Sequence, residues 1–194
     1  MIAGKYMRRL FKALSLFVGI FSISGNEFGL SPQEVEASAK CELFSDQVSL
    51  SFVEKMKKEK QLYAIGLGGG GIGKPGILRM LAITFQNYEK MDISRARSLL
   101  VYSVEEFLKE INAKDELKPY LTETPFTSKN VDIAIHFVNK KSRNLRNPPF
   151  LAVARAKEGK LDYIVDSNET LEWIKEETYD EALEILRQEK SRRQ

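Results

Sequence analysis

Hydrophobic positions recur with two different periods along this chain. From Asp46 to Lys60, Val48, Phe52, Val53 and Met56 fall on one side of a helix. Lys55, Lys57, Lys58 and Lys60 lie on its solvent side and toward its C-terminus, where the helix dipole favours cations. Upstream, Ser31-Pro32-Gln33-Glu34 reads as a separate helix start: Ser31 caps, Pro32 suits the first turn and Glu34 closes a capping box. That first helix is predicted to end near Cys41. The strongest helical stripe is Leu100, Val104, Phe107, Leu108 and Ile111, in a helix starting at Asp92 or Ser94. A second capping box, Thr178-Tyr179-Asp180-Glu181, opens a terminal helix through Ala182, Leu183, Ile185 and Leu186.

Between these helices the period drops to two or the apolar run is continuous. Leu62 to Leu67 predicts a short strand, and Ile77 to Phe85 a longer one from the middle of a sheet. In "VDIAIHFV", Val131, Ile133, Ile135 and Phe137 share one face while Asp132, Ala134 and His136 share the other. "PFLAVARA" and "LDYIVDS" flank Lys157-Glu158-Gly159-Lys160, a hairpin turn with glycine where positive φ is cheapest, and "LEWIKEE" adds a strand after a further turn. This order predicts an α+β fold: a mainly antiparallel sheet of about five or six strands with helices packed on one face. The domain division reads as a signal peptide over 1–24, a spacer and short helix over 25–45, and a single α+β domain over 46–190.

The N-terminus changes the meaning of the composition. Lys5, Arg8, Arg9 and Lys12 precede the uncharged run "ALSLFVGIFSIS", and Ser22 and Ser24 stand where a signal peptidase requires small residues. This is the layout of a secretory signal, with a second possible start at Met7. The apolar run falls short of the about 20 residues of a transmembrane helix. The whole chain of 194 residues has 30 basic and 27 acidic residues, a net charge of +3. Removing the four basic residues of 1–24 leaves 26 against 27, a net of −1, so the basic balance belongs to the export signal. A general nucleic-acid-binding function thereby loses its electrostatic basis. The single cysteine, Cys41, excludes an intramolecular disulfide. Export to the periplasm or beyond is the expected localisation, with no membrane span once the signal is removed.

One stretch imitates a phosphate-binding loop. In "YAIGLGGGGIGKPG", Gly68, Gly73 and Lys74 fit the spacing of that motif. Pro75 stands where Ser or Thr should ligate Mg²⁺, and it removes an N–H that should face the phosphates. The residues after it read as a strand, whereas a nucleotide loop opens a helix. No nucleotide is expected. What survives is a loop, Gly68, Gly69, Gly70 and Gly71 with Lys74, whose bare amides could hold an anion or an extended peptide.

Other chemistry is sparse. His136 is the only histidine. Asp132, four residues earlier on the same strand, is roughly 13 Å away at 3.3 Å per residue and cannot hydrogen-bond it. Without a second histidine or clustered cysteines, no metal site is expected, and no cofactor. Carboxylates at Glu105-Glu106, Glu169, Glu172, Glu176-Glu177 and Asp180-Glu181 leave glycosidic hydrolysis open as chemistry. "NKKSRNLRNPP" gathers Lys140, Lys141, Arg143 and Arg146 in one connection, a candidate surface for an acidic protein or an anionic envelope component. Tyr120 and Phe126, beside prolines in "KPYLTETPF", either seal the core or line a shallow recognition site.

"SRARSLLVYSVEEFLKEIN", "LKPYLTETPFTSKNVDIAI" and "EETYDEAL" resemble an uncharacterised family of small exported proteins from intracellular Gram-negative bacteria. Glu106, Asn112, Pro119, Leu121, Pro125 and Phe126 carry that resemblance, together with "GGGG". It implies export and a shared fold, and no activity. The function expected from the whole sequence is a non-enzymatic binding or interaction protein of the bacterial envelope or exterior. The alternative is a small envelope hydrolase with an acidic or His136-centred site.

Overall fold

The computed structural model describes residues 29–71, 73–167 and 169–192; the segment read as a signal peptide lies outside them. The fold is α+β. Helix α1 spans Pro32–Lys60 and is followed by β1 (Tyr63–Gly70) and β2 (Met80–Asn87). Helix α2 (Ile93–Ala113) leads to β3 (Val131–Phe137), β4 (Val153–Lys157), β5 (Lys160–Ser167) and β6 (Thr170–Thr178), and α3 (Tyr179–Ser191) closes the described chain. The six strands form one sheet in the order β1-β2-β3-β4-β5-β6. Every neighbouring pair is antiparallel except β2–β3, which α2 makes parallel by carrying the chain across the sheet.

Both capping boxes form. The Ser31 side chain accepts from the Glu34 N–H and the Thr178 side chain from the Glu181 N–H, and Asp92 caps α2 through the Arg95 N–H. The expected break between two N-terminal helices does not exist. No glycine or proline interrupts residues 33–60, and Cys41, Ser45, Val48, Phe52 and Met56 continue one buried stripe through the proposed boundary. Residues 32–45 are therefore part of α1 and of the same domain, not a spacer.

The three described helices cover one face of the sheet. Phe52 of α1 stacks on Phe107 of α2, with centroids 4.6 Å apart, and meets Phe85 of β2 edge-on at 6.0 Å. Beneath them lie Leu81 and Ile83, the β3 stripe Val131, Ile133, Ile135 and Phe137, then Ala154, Leu161 and Tyr163, all buried. Small alanines on β4 let α2 approach closely, and Ala182 of α3 does the same at the far end. Lys55, read as a solvated lysine, instead forms an ion pair with Glu106 that joins α1 to α2. None of the described helices is long and apolar enough to cross a membrane.

Candidate functional site on the uncovered sheet face

Among the described residues no helix covers the other face of the sheet, and register determines what that face carries. Ala134 of β3 lies between Thr84 of β2 and Arg155 of β4, and His136 between Gln86 and Val153. Asp132 lies between Ala82 and Lys157, and Arg155 also faces Asp162 of β5. On β1, Gly66 and Gly68 sit opposite Thr84 and Ala82. The middle of this face is thus paved with glycine, alanine and threonine, while its far side is built from Ile164, Leu171 and Trp173. The sheet curls enough that Leu171 and Trp173 of β6 wall the same depression, of about 300 Å³, as Ala82 and Thr84 of β2, though three strands lie between. Small residues make the floor low and the tryptophan makes the wall high.

Trp173, the protein's only tryptophan, is 67% exposed. A register shift at Tyr163/Ile164 sets it opposite Ile164, so an apolar pair lines the rim. Arg155 is oriented by a two-pronged pairing in which Nε and Nη2 donate to the two oxygens of Asp132, Nε at 2.7 Å. Asp132 is nearly buried, whereas the Arg155 side chain keeps 38% exposure and can present its remaining donors to a ligand. Burial pushes the Asp162 carboxyl above its ordinary value, and nearby Glu176 adds to that against Arg155 and Lys160. Burial also lowers the His136 imidazole below its ordinary value, which favours the neutral form at physiological pH. The depression therefore offers one oriented cation, one neutral imidazole and an aromatic wall.

The other expected residues are placed differently. Gly68, Gly69 and Gly70 are not a loop: they complete strand β1, and the turn begins at Gly71. The chain then returns as β2 rather than opening a helix. Lys74 is exposed. Of the basic connection, Lys140 and Lys141 are exposed, but Arg143 and Arg146 are turned back on Tyr88. Arg143 donates to its hydroxyl and lies 5.4 Å from its ring, while Arg146 donates to its carbonyl at 2.7 Å. Two of the four cations thus hold the loop down. Phe126 is 2% exposed and belongs to the core rather than to a recognition surface, and half-buried Tyr120 packs toward Phe44. Cys41 is buried, and burial raises its thiol above the ordinary value, away from the reactive thiolate.

Asn112 explains how Phe126 is held. Its amide donates to the Phe126 carbonyl at 3.0 Å and its oxygen accepts the Phe126 N–H at 2.8 Å. Asn112→Ala is expected to cost about 2 kcal/mol, because two part-buried backbone groups lose their partners together. Urea unfolding measures it; a loss below about 0.5 kcal/mol would contradict the assignment.

Sequence reasoning put Asp132, Ala134 and His136 on one face but did not find Arg155 or Trp173. No local pattern announces them, since they join the site only through the order of the strands. No protein-family model matches this chain, and neither curated proteins nor solved structures give a match.

Proposed function

We propose that this protein is an exported, non-enzymatic binding module whose ligand-contacting surface is the uncovered, concave sheet face. The observation that carries the proposal is Trp173: a large aromatic left exposed at the wall of a depression whose floor is small and whose one cation is already oriented. A water-facing indole beside an arranged polar group is the usual composition of a contact hot spot. The hydrolytic alternative has less support. Asp132 is taken up by its two-pronged pairing with Arg155, and Glu177 is held ionised by Arg97, Lys175 and Tyr163, so Glu177 does not serve as a proton donor. Export rests on the N-terminal pattern alone, and the mature protein is expected to begin near Gly25 or Asn26.

The single tryptophan supplies the test. The purified protein is titrated with soluble cell-wall glycan fragments and with a short-peptide array while Trp173 emission is recorded. A saturable change is expected with one of these classes. It should be lost in Arg155→Ala, and the same ligand should be lost by calorimetry in Trp173→Ala, with both variants folded. A ligand that saturably changes Trp173 emission in the wild type, yet is bound with unchanged affinity by both variants in calorimetry, would show that this face is not the contact surface. Mass spectrometry of secreted material reads the N-terminus, and an intact Met1 on cytosolic protein would remove the export half of the proposal.

A further inference from the structure

Among the described residues no strand pairs with the outer edge of β1, and that edge is unlike an ordinary sheet edge. Natural edges are guarded by charges, prolines or side chains that block a further strand. The opposite edge, β6, carries Glu172, Lys175 and Glu176. Strand β1, "YAIGLGGG", carries no charge and no proline, and Gly68 and Gly70 have open space where a Cβ would stand. Ile65 and Leu67 are exposed on it. The Gly70 carbonyl faces β2, accepting the Arg79 N–H at 2.8 Å. Main-chain groups alternate sides along a strand, so those of Leu67 and Gly69 turn outward, where the sheet ends.

Alongside this edge runs a groove of about 580 Å³ between β1 and the first half of α1. Its helix wall is small and polar, with Ser38, Ser45 and Ser49, and its rim carries Glu42 and Asp46. These two acids stand four residues apart on one helix face, where like charges repel. Among the described residues neither takes part in an ion pair. The groove's own cation, Lys74, sits at the loop end, where its charge acts on Glu34.

We propose that the β1 edge and this groove take up an extended segment of a partner polypeptide as a seventh strand, with a Lys or Arg side chain of that segment meeting Glu42 and Asp46. Backbone hydrogen bonds to Leu67 and Gly69 supply sequence-tolerant binding, and the acidic rim supplies the preference. A second copy of this chain is the wrong occupant. Pairing β1 with β1 would bring two helices with the same unpaired acids toward each other. This proposal is independent of the concave face, which lies on the other side of the sheet.

The test uses fluorescein-labelled seven-residue peptides of alternating Thr and Val with a central Lys or a central Glu, measured by anisotropy against the full chain. The Lys peptide is expected to bind, and the Glu peptide about tenfold or more weakly, as expected for one well-placed charge pair. Leu67→Pro removes an outward N–H that the fold itself does not use, at an edge position where proline is tolerated, and should abolish binding of both peptides. Glu42→Gln with Asp46→Asn should remove the Lys-over-Glu preference while leaving β1 intact. Circular dichroism confirms that each variant is folded. Absence of Lys-peptide binding, equal binding by Leu67→Pro, or no charge preference would each overturn the proposal. So would a concentration-dependent dimer that Leu67→Pro dissociates, since the edge would then belong to a second copy.

Discussion

Replacing Arg97 with Ala is expected to destabilise the fold by about 3 kcal/mol, toward the lower end of the cost of breaking a buried ion pair, because Lys175 and Tyr163 still meet the Glu177 carboxylate. Arg97 projects from α2 and Glu177 from the end of β6, with side chains 6% and 4% exposed. The guanidinium donates twice, from Nε to Oε1 at 2.6 Å and from Nη2 to Oε2 at 2.9 Å. Tyr163 donates its hydroxyl to Oε1, and Lys175 lies 2.7 Å from Oε2. The carboxylate is therefore satisfied from three elements, and α3 is anchored immediately after it. Arg97→Lys keeps the charge but loses the fork, so its cost should be intermediate. Arg97→Met combined with Glu177→Leu should recover much of the loss, because removing both charges also removes the desolvation penalty.

The same network sets a pH dependence. Burial disfavours the Glu177 charge, but hydrogen bonds from Arg97, Lys175 and Tyr163 outweigh that and hold its carboxyl at about 2, against an ordinary 4.5. The folded value lies below the unfolded one, so this contribution is complete above about pH 4.5 and is lost as pH falls toward 2. Its size is on the order of 3 kcal/mol. Urea midpoints measured from pH 7 down to pH 2.5 should fall steeply below pH 4.5 in the wild type and less steeply in Glu177→Gln. Parallel curves for the two proteins would contradict the assignment.

Gly71→Ala is expected to cost about 3 kcal/mol or to displace the 71–79 connection, whereas Gly68→Ala should change stability by less than about 1 kcal/mol. At Gly71 an added Cβ would lie 1.9 Å from the Ile77 carbonyl oxygen, a backbone atom that cannot rotate aside. Gly76 is constrained twice. Its φ is +76°, and a Cβ would come 2.9 Å from the backbone of Ala37 and Ser38 in α1. Gly76→Ala should thus cost at least as much as the left-handed penalty of about 1–2 kcal/mol alone. At Gly68 nothing lies within 4 Å. Urea unfolding of the three variants separates these cases, and equal costs would show that the glycines are kept for flexibility rather than for close approach. Gly71 and Gly76 thus have a packing cause, because the connection must pass close to its own strand and to the helix backbone, whereas Gly68 and Gly73, which carry the phosphate-loop spacing, have nothing within 4 Å of an added Cβ.

The chain's local patterns reached most of the secondary structure. Both capping boxes, the α2 stripe, the β3 alternation and the Lys157–Lys160 turn are interactions among residues within a few positions of one another, and each formed where its residues stand. The sheet-with-helices class followed from their order. Where the local reading failed, neighbours distant in the chain decided. Asp46 looked like a helix start, but the buried stripe from Cys41 to Met56 packs against α2 and β2 as one continuous face, so α1 runs through. The four glycines looked like a loop, yet β2 supplies hydrogen-bonding partners that make three of them a strand. Phe126 looked available and is drawn into the core by Asn112, while Tyr88 captures two of the four loop cations. The candidate site is the extreme case. His136 and Asp132 were visible because both belong to one strand, but Arg155 and Trp173 reach the same depression only because strand order, register and sheet curl bring five strands, β2 to β6, around one floor of small side chains. Periodicity along a chain reports which face a residue takes. It carries no information on which strand becomes its neighbour, because that is set by the total burial of the assembled core.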